Sequence, residues 1–473
     1  MTTSLRSVHI ASLGCARNDV DSEELAGRLE AGGFVLVDDP EAAETVVVNT
    51  CGFVEQAKKD SIDTLLAASD LKQDGTVRSV VAVGCMAERY GIQLAEELPE
   101  ADAVLGFDDY VDIADRLRSI LDGTKHISHV PRDRRKLLPL SPQARPAAAG
   151  GVAIPGHAPL PADLAPATGP RAMRRRLAGG PSASLKIASG CDRRCAFCAI
   201  PAFRGSYLSR PLDDLEAEAR WLVEDGVKEL FLVSENTSSY GKDLGSDHRL
   251  ETLLRRLSGI DGLEWIRVSY LQPAEIRPST IDAMLATDKV VPYFDLSFQH
   301  AAGPVLRRMR RFGDAESFLD LIGQIRGRAP HAGIRSNVIA GFPGETEADV
   351  EVLRQFIIDA NLDVLGVFGY SDEEGTEGVG LSDHLSEDEI EERRAMLADL
   401  AIDVCEARAA DRIGEDVTVL VESLEDGEVV GRAAHQAPET DGVVTLTGPG
   451  RVGDLIAARV VDSAGIDLIA EAK

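Results

Sequence analysis

Six short apolar runs recur at 185–189, 229–234, 265–270, 293–298, 334–341 and 364–370, with a helical segment after each. A strand followed by a returning helix places the next strand parallel to the first through a right-handed crossover. Repetition of that unit builds a parallel barrel, and six units rather than eight predict one left open on a side. The reactive end of such a barrel is the C-terminal edge of its strands, so the residues that follow each strand carry most of the functional information.

The first strand runs into Gly190-Cys191-Asp192-Arg193-Arg194-Cys195-Ala196-Phe197-Cys198. Three soft thiolates on one short loop suit a metal or an iron–sulfur cluster. Three rather than four leave a coordination position open for chemistry. Cys195 and Cys198 alone also suit half of a zinc site or a redox pair. The three-then-two spacing resembles the radical S-adenosylmethionine (SAM) superfamily. The resemblance implies a [4Fe–4S] cluster on Cys191, Cys195 and Cys198, with SAM on the fourth iron and split by one electron into methionine and a 5′-deoxyadenosyl radical. It also implies that Phe197 lies near the adenine, although an ordinary core aromatic fits the residue equally.

The second strand delivers Glu235, either an acceptor for the SAM ammonium or a plain loop acid. The fourth ends in Gln299-His300, where the histidine suits a substrate contact or a satisfied polar residue. The fifth carries Arg335 and ends in Gly341-Phe342-Pro343-Gly344-Glu345-Thr346. Its glycines permit close backbone approach to a flat ligand. This hexapeptide is similar to the family's motif beside SAM, which implies cofactor contacts at Arg335 and Gly341.

Residues 1–125 repeat the strand–helix logic on a smaller scale. Runs at 8–13, 45–49 and 79–83 alternate with helical segments near 20–31, 54–70 and 87–98, which predicts a parallel α/β sheet. Each run leads to a cysteine: Cys15, Cys51 and Cys85. Their spacings of 36 and 34 residues each match one strand plus one returning helix, so the crossovers bring all three to one sheet edge. Helix N-termini at that edge favour the thiolate. The pattern predicts a second three-cysteine cluster with an open iron; three buried structural cysteines are the alternative. Ser12-Leu13-Gly14-Cys15-Ala16-Arg17-Asn18, Asn49-Thr50-Cys51-Gly52-Phe53 and Gly84-Cys85-Met86-Ala87-Glu88-Arg89-Tyr90 resemble the N-terminal domain of the methylthiotransferases, with Arg17 where that family usually has lysine. The resemblance implies a second [4Fe–4S] cluster that carries or supplies the transferred sulfur.

Residues 126–183 lose periodicity and are crowded with Pro, Ala and Gly, as a flexible or partly extended linker would be. Arg171, Arg174, Arg175 and Arg176 form a basic knot there, solvated or touching RNA. The radical domain occupies 184–412. Beyond it, runs at 417–421, 429–432, 443–446 and 455–461, separated by Gly-Asp turns, indicate a small β-barrel over 413–473. It resembles the TRAM domain, an OB-like module usually associated with RNA. RNA binding calls for basic and stacking residues. This copy has twelve acids against four bases, a formal −8, and no Phe, Tyr or Trp. Such a surface repels tRNA and attracts a basic protein.

Taken whole, the chain is α/β, with a parallel-sheet domain, an open (β/α)6 barrel and a small β-barrel. Net charge is −29, which opposes association with DNA or RNA backbones; solubility alone is the other reading of that acidity. No apolar run reaches the roughly 18 residues that span a bilayer, and no signal peptide is evident, so a cytoplasmic protein with no membrane partner is expected. Six of seven cysteines fall into two triads; Cys405 is expected to be a structural thiol.

Methylthiotransferases divide into a branch that modifies tRNA adenosine and one that modifies an aspartate of ribosomal protein S12. Gln299-His300, Glu374-Gly375-Thr376 and the stretch from Gly431-Arg432 through His435-Gln436 to Asp441-Gly442 resemble the second. That implies a basic protein substrate, two SAM per turnover and a reductant such as flavodoxin or ferredoxin. The tRNA branch, and a non-catalytic two-cluster electron carrier, are the competing readings.

Overall fold

The three apolar runs near the N-terminus become the parallel strands Ser7–Ser12 (β1), Thr45–Thr50 (β3) and Ser79–Val83 (β4) in the computed structural model. Two short strands that the pattern did not indicate, Val35–Leu36 (β2) and Ala103–Val104 (β5), extend the sheet to the order β2-β1-β3-β4-β5. All four pairings are parallel. The structure describes residues 6–52, 55–124, 126–134, 174–245, 249–425 and 427–473. They divide into two units, the first comprising residues up to Gly179 with Gly190–Asp192 and Ile200–Leu208, the second the remainder.

Helices Ala16–Ala31 (α1), Glu55–Asp70 (α2), Gly84–Glu97 (α3) and Ile113–Leu121 (α4) accompany the first sheet. Val46, Val48, Val80 and Ala82 pack against Leu65 and Ala68 of α2 and Met86 and Leu94 of α3. Val47 and Val81, between them in sequence and so on the opposite face, are equally dry. Burial on both faces is why β3 and β4 read as continuous apolar runs rather than alternating ones. Each such side chain contributes about 1.5–3 kcal/mol.

Ordered structure continues past the loss of periodicity at His126. Arg134 donates to Glu88 at 2.5 Å and pairs with Asp108 at 3.0 Å, and the His129 amide donates to the Val104 carbonyl. Arg174, expected to be solvated with its neighbours, is instead buried and pairs with Glu23 at 3.3 Å. Within the expected linker, residues 126–134 and 174–179 thus belong to the first unit, whereas Ser182 and Ala183 already begin a strand of the second. Arg171 and the rest of the interval 135–173 lie outside the described residues.

In the second unit Ser182–Lys186 (β6), Glu229–Val233 (β7) and Trp265–Val268 (β8) form one parallel sheet, and Tyr293–Gln299 (β9), Gly333–Ala340 (β10) and Val364–Gly369 (β11) another. Parallel bridges Ile266↔Val290 and Leu271↔Leu296 join the sheets in sequence order. Among the described residues β6 and β11 do not pair, so the six strands form an open arc.

A closed five-stranded barrel follows: Asp416–Glu425 (β12), Glu428–Ala433 (β13), Val444–Thr447 (β14), Leu455–Ala464 (β15) and Asp467–Ala472 (β16), in the order β12-β13-β14-β16-β15. The periodicity indicated four of these strands. The fifth, β16, closes the barrel by pairing parallel to β14 and antiparallel to β15. No helix among the described residues is long and apolar enough to cross a membrane.

The stretch 431–442 attaches this small barrel to the open one. Glu229 at the start of β7 is fully buried and ion-paired with both Arg267, at 2.7 Å, and Arg432. Arg267 also donates to the Ala434 carbonyl at 2.7 Å, and the Tyr293 hydroxyl to Asp441 at 2.6 Å. Residues whose sequence resembles one branch of the family therefore serve as a joint at the N-terminal ends of the strands, away from the catalytic edge.

Candidate active site

The sheet topology brings three thiols to one edge. Cys15 caps the N-terminus of α1, Cys51 follows β3 directly, and Cys85 is the second residue of α3 after β4. Asn18 secures them: its side chain donates to the carbonyls of Leu13 (2.9 Å) and Thr50 (3.2 Å), while its Oδ1 lies 3.4 Å from the Cys85 thiol. Asn49 donates to the Asn18 carbonyl at 2.9 Å, and the Cys51 amide to Ser61 Oγ at 2.9 Å. Asn18 and Asn49 lie in the cysteine motifs, but their stapling role has no signature in spacing alone.

Gly14 has φ +102°, and a Cβ there would stand 2.8 Å from Cys51 Cβ and 2.9 Å from its sulfur. Both the left-handed backbone and the thiol's approach require glycine. On the reading proposed below that Cys15, Cys51 and Cys85 hold a cluster, Gly14→Ala is expected to leave about four irons per reconstituted chain; iron analysis checks it, and a full complement would contradict it.

Burial works against ionisation of Cys15, but Arg17 and Arg204 outweigh it and hold the thiol below its usual range. Cys85, wholly buried, is pushed up to about 11 by desolvation despite Arg204. All seven cysteines are unbridged. Among the described residues no three His, Cys, Asp or Glu side chains are grouped for a single metal ion. A four-iron cubane spaces its thiolates more widely than one ion does, and an all-thiol donor set with arginine counter-charge fits it.

The loop of the second triad is held at several points. In the first unit the Cys191 amide donates to the Gly205 carbonyl (3.1 Å) and the Tyr207 amide to Asp192 (3.0 Å). In the second, the Ala196 amide donates to the Met309 carbonyl (3.0 Å) and the Ala196 carbonyl accepts from the Gly378 amide (2.7 Å). Arg311 donates to the Cys195 sulfur at 3.6 Å and to the Ser297 carbonyl. Phe197 is half-buried between these thiols in sequence.

Glu235 is buried in the loop after β7, on the strand edge that carries Cys195. Its neighbour Asn236 and Ser239 donate to Glu275, which also binds Arg193 and Lys242. Burial opposes the charge of Glu275, but Lys242, Ser239 and Arg193 hold its carboxyl below the usual range.

Two expected cofactor residues have other partners. Arg335 pairs with Asp441 at 3.5 Å and belongs with the joint. At Gly341, φ +79°, the side where a Cβ would stand is filled by Ile390 at 2.6 Å, and its amide donates to Glu345. Glu345 is buried and also binds Arg393 (2.9 Å) and His300 Nε2 (3.1 Å). Since His300 Nδ1 accepts from the Ala302 amide, Nε2 carries the proton donated to Glu345. Both ring nitrogens are engaged, which decides for the satisfied polar residue.

Residues 7–106 match uncharacterized protein family UPF0004, 185–357 the radical SAM superfamily and 413–472 the TRAM domain. The solved radical S-adenosylmethionine methyltransferase TsrM of Kitasatospora setae shares the fold, with a TM-score of 0.53 at 16% identity over 77% of this chain and 73% of its own. The superfamily match over an open parallel barrel makes this a radical SAM enzyme, using SAM and at least one [4Fe–4S] cluster. Relatives extend along nearly the whole chain. The ribosomal protein uS12 methylthiotransferase RimO of Cutibacterium acnes is 67% identical over 98% of both chains. That of Streptomyces coelicolor is 61% identical over 98% of this chain and 96% of its own. The chain belongs to this family of methylthiotransferases.

Proposed function

We propose that the chain replaces a hydrogen on the β-carbon of an aspartate in ribosomal protein S12 with a methylthio group. The observation that carries this reading is the near-complete alignment with uS12 methylthiotransferases. Cys191, Cys195 and Cys198 would hold a [4Fe–4S] cluster able to supply the electron for SAM cleavage, and Cys15, Cys51 and Cys85 would hold a second, able to carry the sulfur to be methylated. Radical chemistry suits the target, because no side-chain base can usefully deprotonate an unactivated Cβ.

The chain's own residues position and shield. Arg311 steadies Cys195, while buried Glu235 would receive the SAM ammonium as a carboxylate acceptor and half-buried Phe197 would lie against the adenine. Asn18 and Asn49 keep the N-terminal thiols in register. The small barrel exposes Glu425, Glu428, Asp454, Asp462 and Glu471, a surface complementary to a basic ribosomal protein. A cytoplasmic flavodoxin or ferredoxin provides electrons.

Mass spectrometry of ribosomal proteins and of tRNA hydrolysates from a deletion strain tests the choice of substrate. The expected result is S12 lacking its methylthio mass beside unchanged tRNA. Unchanged S12 with tRNA lacking its methylthio group would assign the chain to tRNA adenosine instead.

A further inference from the structure

The segment that follows the radical loop, Ile200–Arg204, is packed within the first unit. Arg204 ends this short helix with its side chain only 5% exposed. One nitrogen, Nη2, lies 3.0 Å from the Cys85 sulfur, 2.9 Å from Asn18 Oδ1 and 3.1 Å from Asp21 Oδ2. The guanidinium stands 5.2 Å from the Phe107 ring centroid. The very next residue, Gly205, accepts the Cys191 amide through its carbonyl at 3.1 Å. One two-residue turn therefore touches a cysteine of each triad: by a charged side chain at Cys85 and by the backbone at Cys191.

Burying a guanidinium is costly unless its donors are engaged. Here they converge on a thiol and on Asp21, itself buried. We propose that Arg204 is a positioning residue for the N-terminal cluster, acting through Cys85 to set that cluster's reduction potential. This rests on the reading that Cys15, Cys51 and Cys85 hold a cluster. Hydrogen bonds and positive charge at a cluster's sulfurs favour its more negative, reduced form and so raise its potential. The low local dielectric strengthens the effect.

The test uses the full chain, anaerobically reconstituted, with Cys191, Cys195 and Cys198 replaced by alanine so that only the N-terminal cluster remains. Iron per chain and the midpoint potential, followed by electron paramagnetic resonance, are compared among this parent, Arg204→Gln and Arg204→Lys. The expected result is retained iron, a midpoint shifted to more negative potential in Arg204→Gln, and return toward the parent in Arg204→Lys. Loss of iron in the glutamine variant but not in the lysine variant also supports the proposal, since charge is then what holds the thiolates. An unshifted midpoint in an iron-replete Arg204→Gln overturns it, as does equal iron loss in both variants, which would mark a packing role. No iron in the parent would overturn the N-terminal cluster itself, and the proposal with it.

Discussion

Alanine at Cys191, Cys195 and Cys198 together is expected to leave about four irons per chain and to abolish formation of 5′-deoxyadenosine. Alanine at Cys15, Cys51 and Cys85 is expected to leave about four irons as well, but to keep SAM cleavage while yielding no methylthiolated product. On the proposed function the two triads do different work. Cys191, Cys195 and Cys198 follow β6 in sequence, and Cys15, Cys51 and Cys85 lie at one edge of the N-terminal parallel sheet. Each is held by its own hydrogen bonds, Cys195 by Arg311 and Cys85 by Asn18 and Arg204. Neither triad should therefore collapse when the other is removed. Iron analysis and chromatography of the nucleoside products check both variants. Deoxyadenosine from the first variant would contradict the assignment of the radical to Cys191, Cys195 and Cys198.

Glu229→Gln is expected to destabilise the second unit by about 3–5 kcal/mol at neutral pH, because it leaves two buried guanidiniums without their shared carboxylate. Burial alone would raise the Glu229 carboxyl, but Arg432 and Arg267 outweigh it and hold the group at about 2. A depressed folded value means the stabilisation is complete above the unfolded value of about 4.3 and is lost as pH falls toward the folded one. The unfolding midpoints of the two proteins should thus differ most near neutrality and converge only as pH falls below about 2. Urea titrations across pH measure this. Equal midpoints at pH 7 would mean that the joint between the open barrel and the small barrel does not depend on Glu229.

Strand–helix recurrence, a local pattern, made the parallel sheet, the six-stranded arc and the placement of Cys15, Cys51 and Cys85 legible before any coordinates. What depended on long-range pairing was not. The Gly431–Asp441 stretch was legible as a family signature, but its role as a joint depends on Glu229, which lies 203 residues before Arg432. Likewise the Gly341–Thr346 turn suggested ligand approach, while Ile390 and Arg393 from a distant helix decide what lies against it. Strand β16 was not indicated by the periodicity, although Leu468 and Ala470 lie in the barrel core and its pairings with β14 and β15 close the barrel. Arg204 gave no signal either, since nothing in sequence ties it to Cys85, 119 residues earlier.

The central claim is most directly tested by incubating the anaerobically reconstituted chain with SAM, sulfide, reductant and S12, and measuring the mass of the S12 peptides. The predicted result is one methylthio group in place of one hydrogen, located on an aspartate, with both S-adenosylhomocysteine and 5′-deoxyadenosine released. Unmodified S12 alongside a methylthiolated adenosine when tRNA is supplied instead would contradict it.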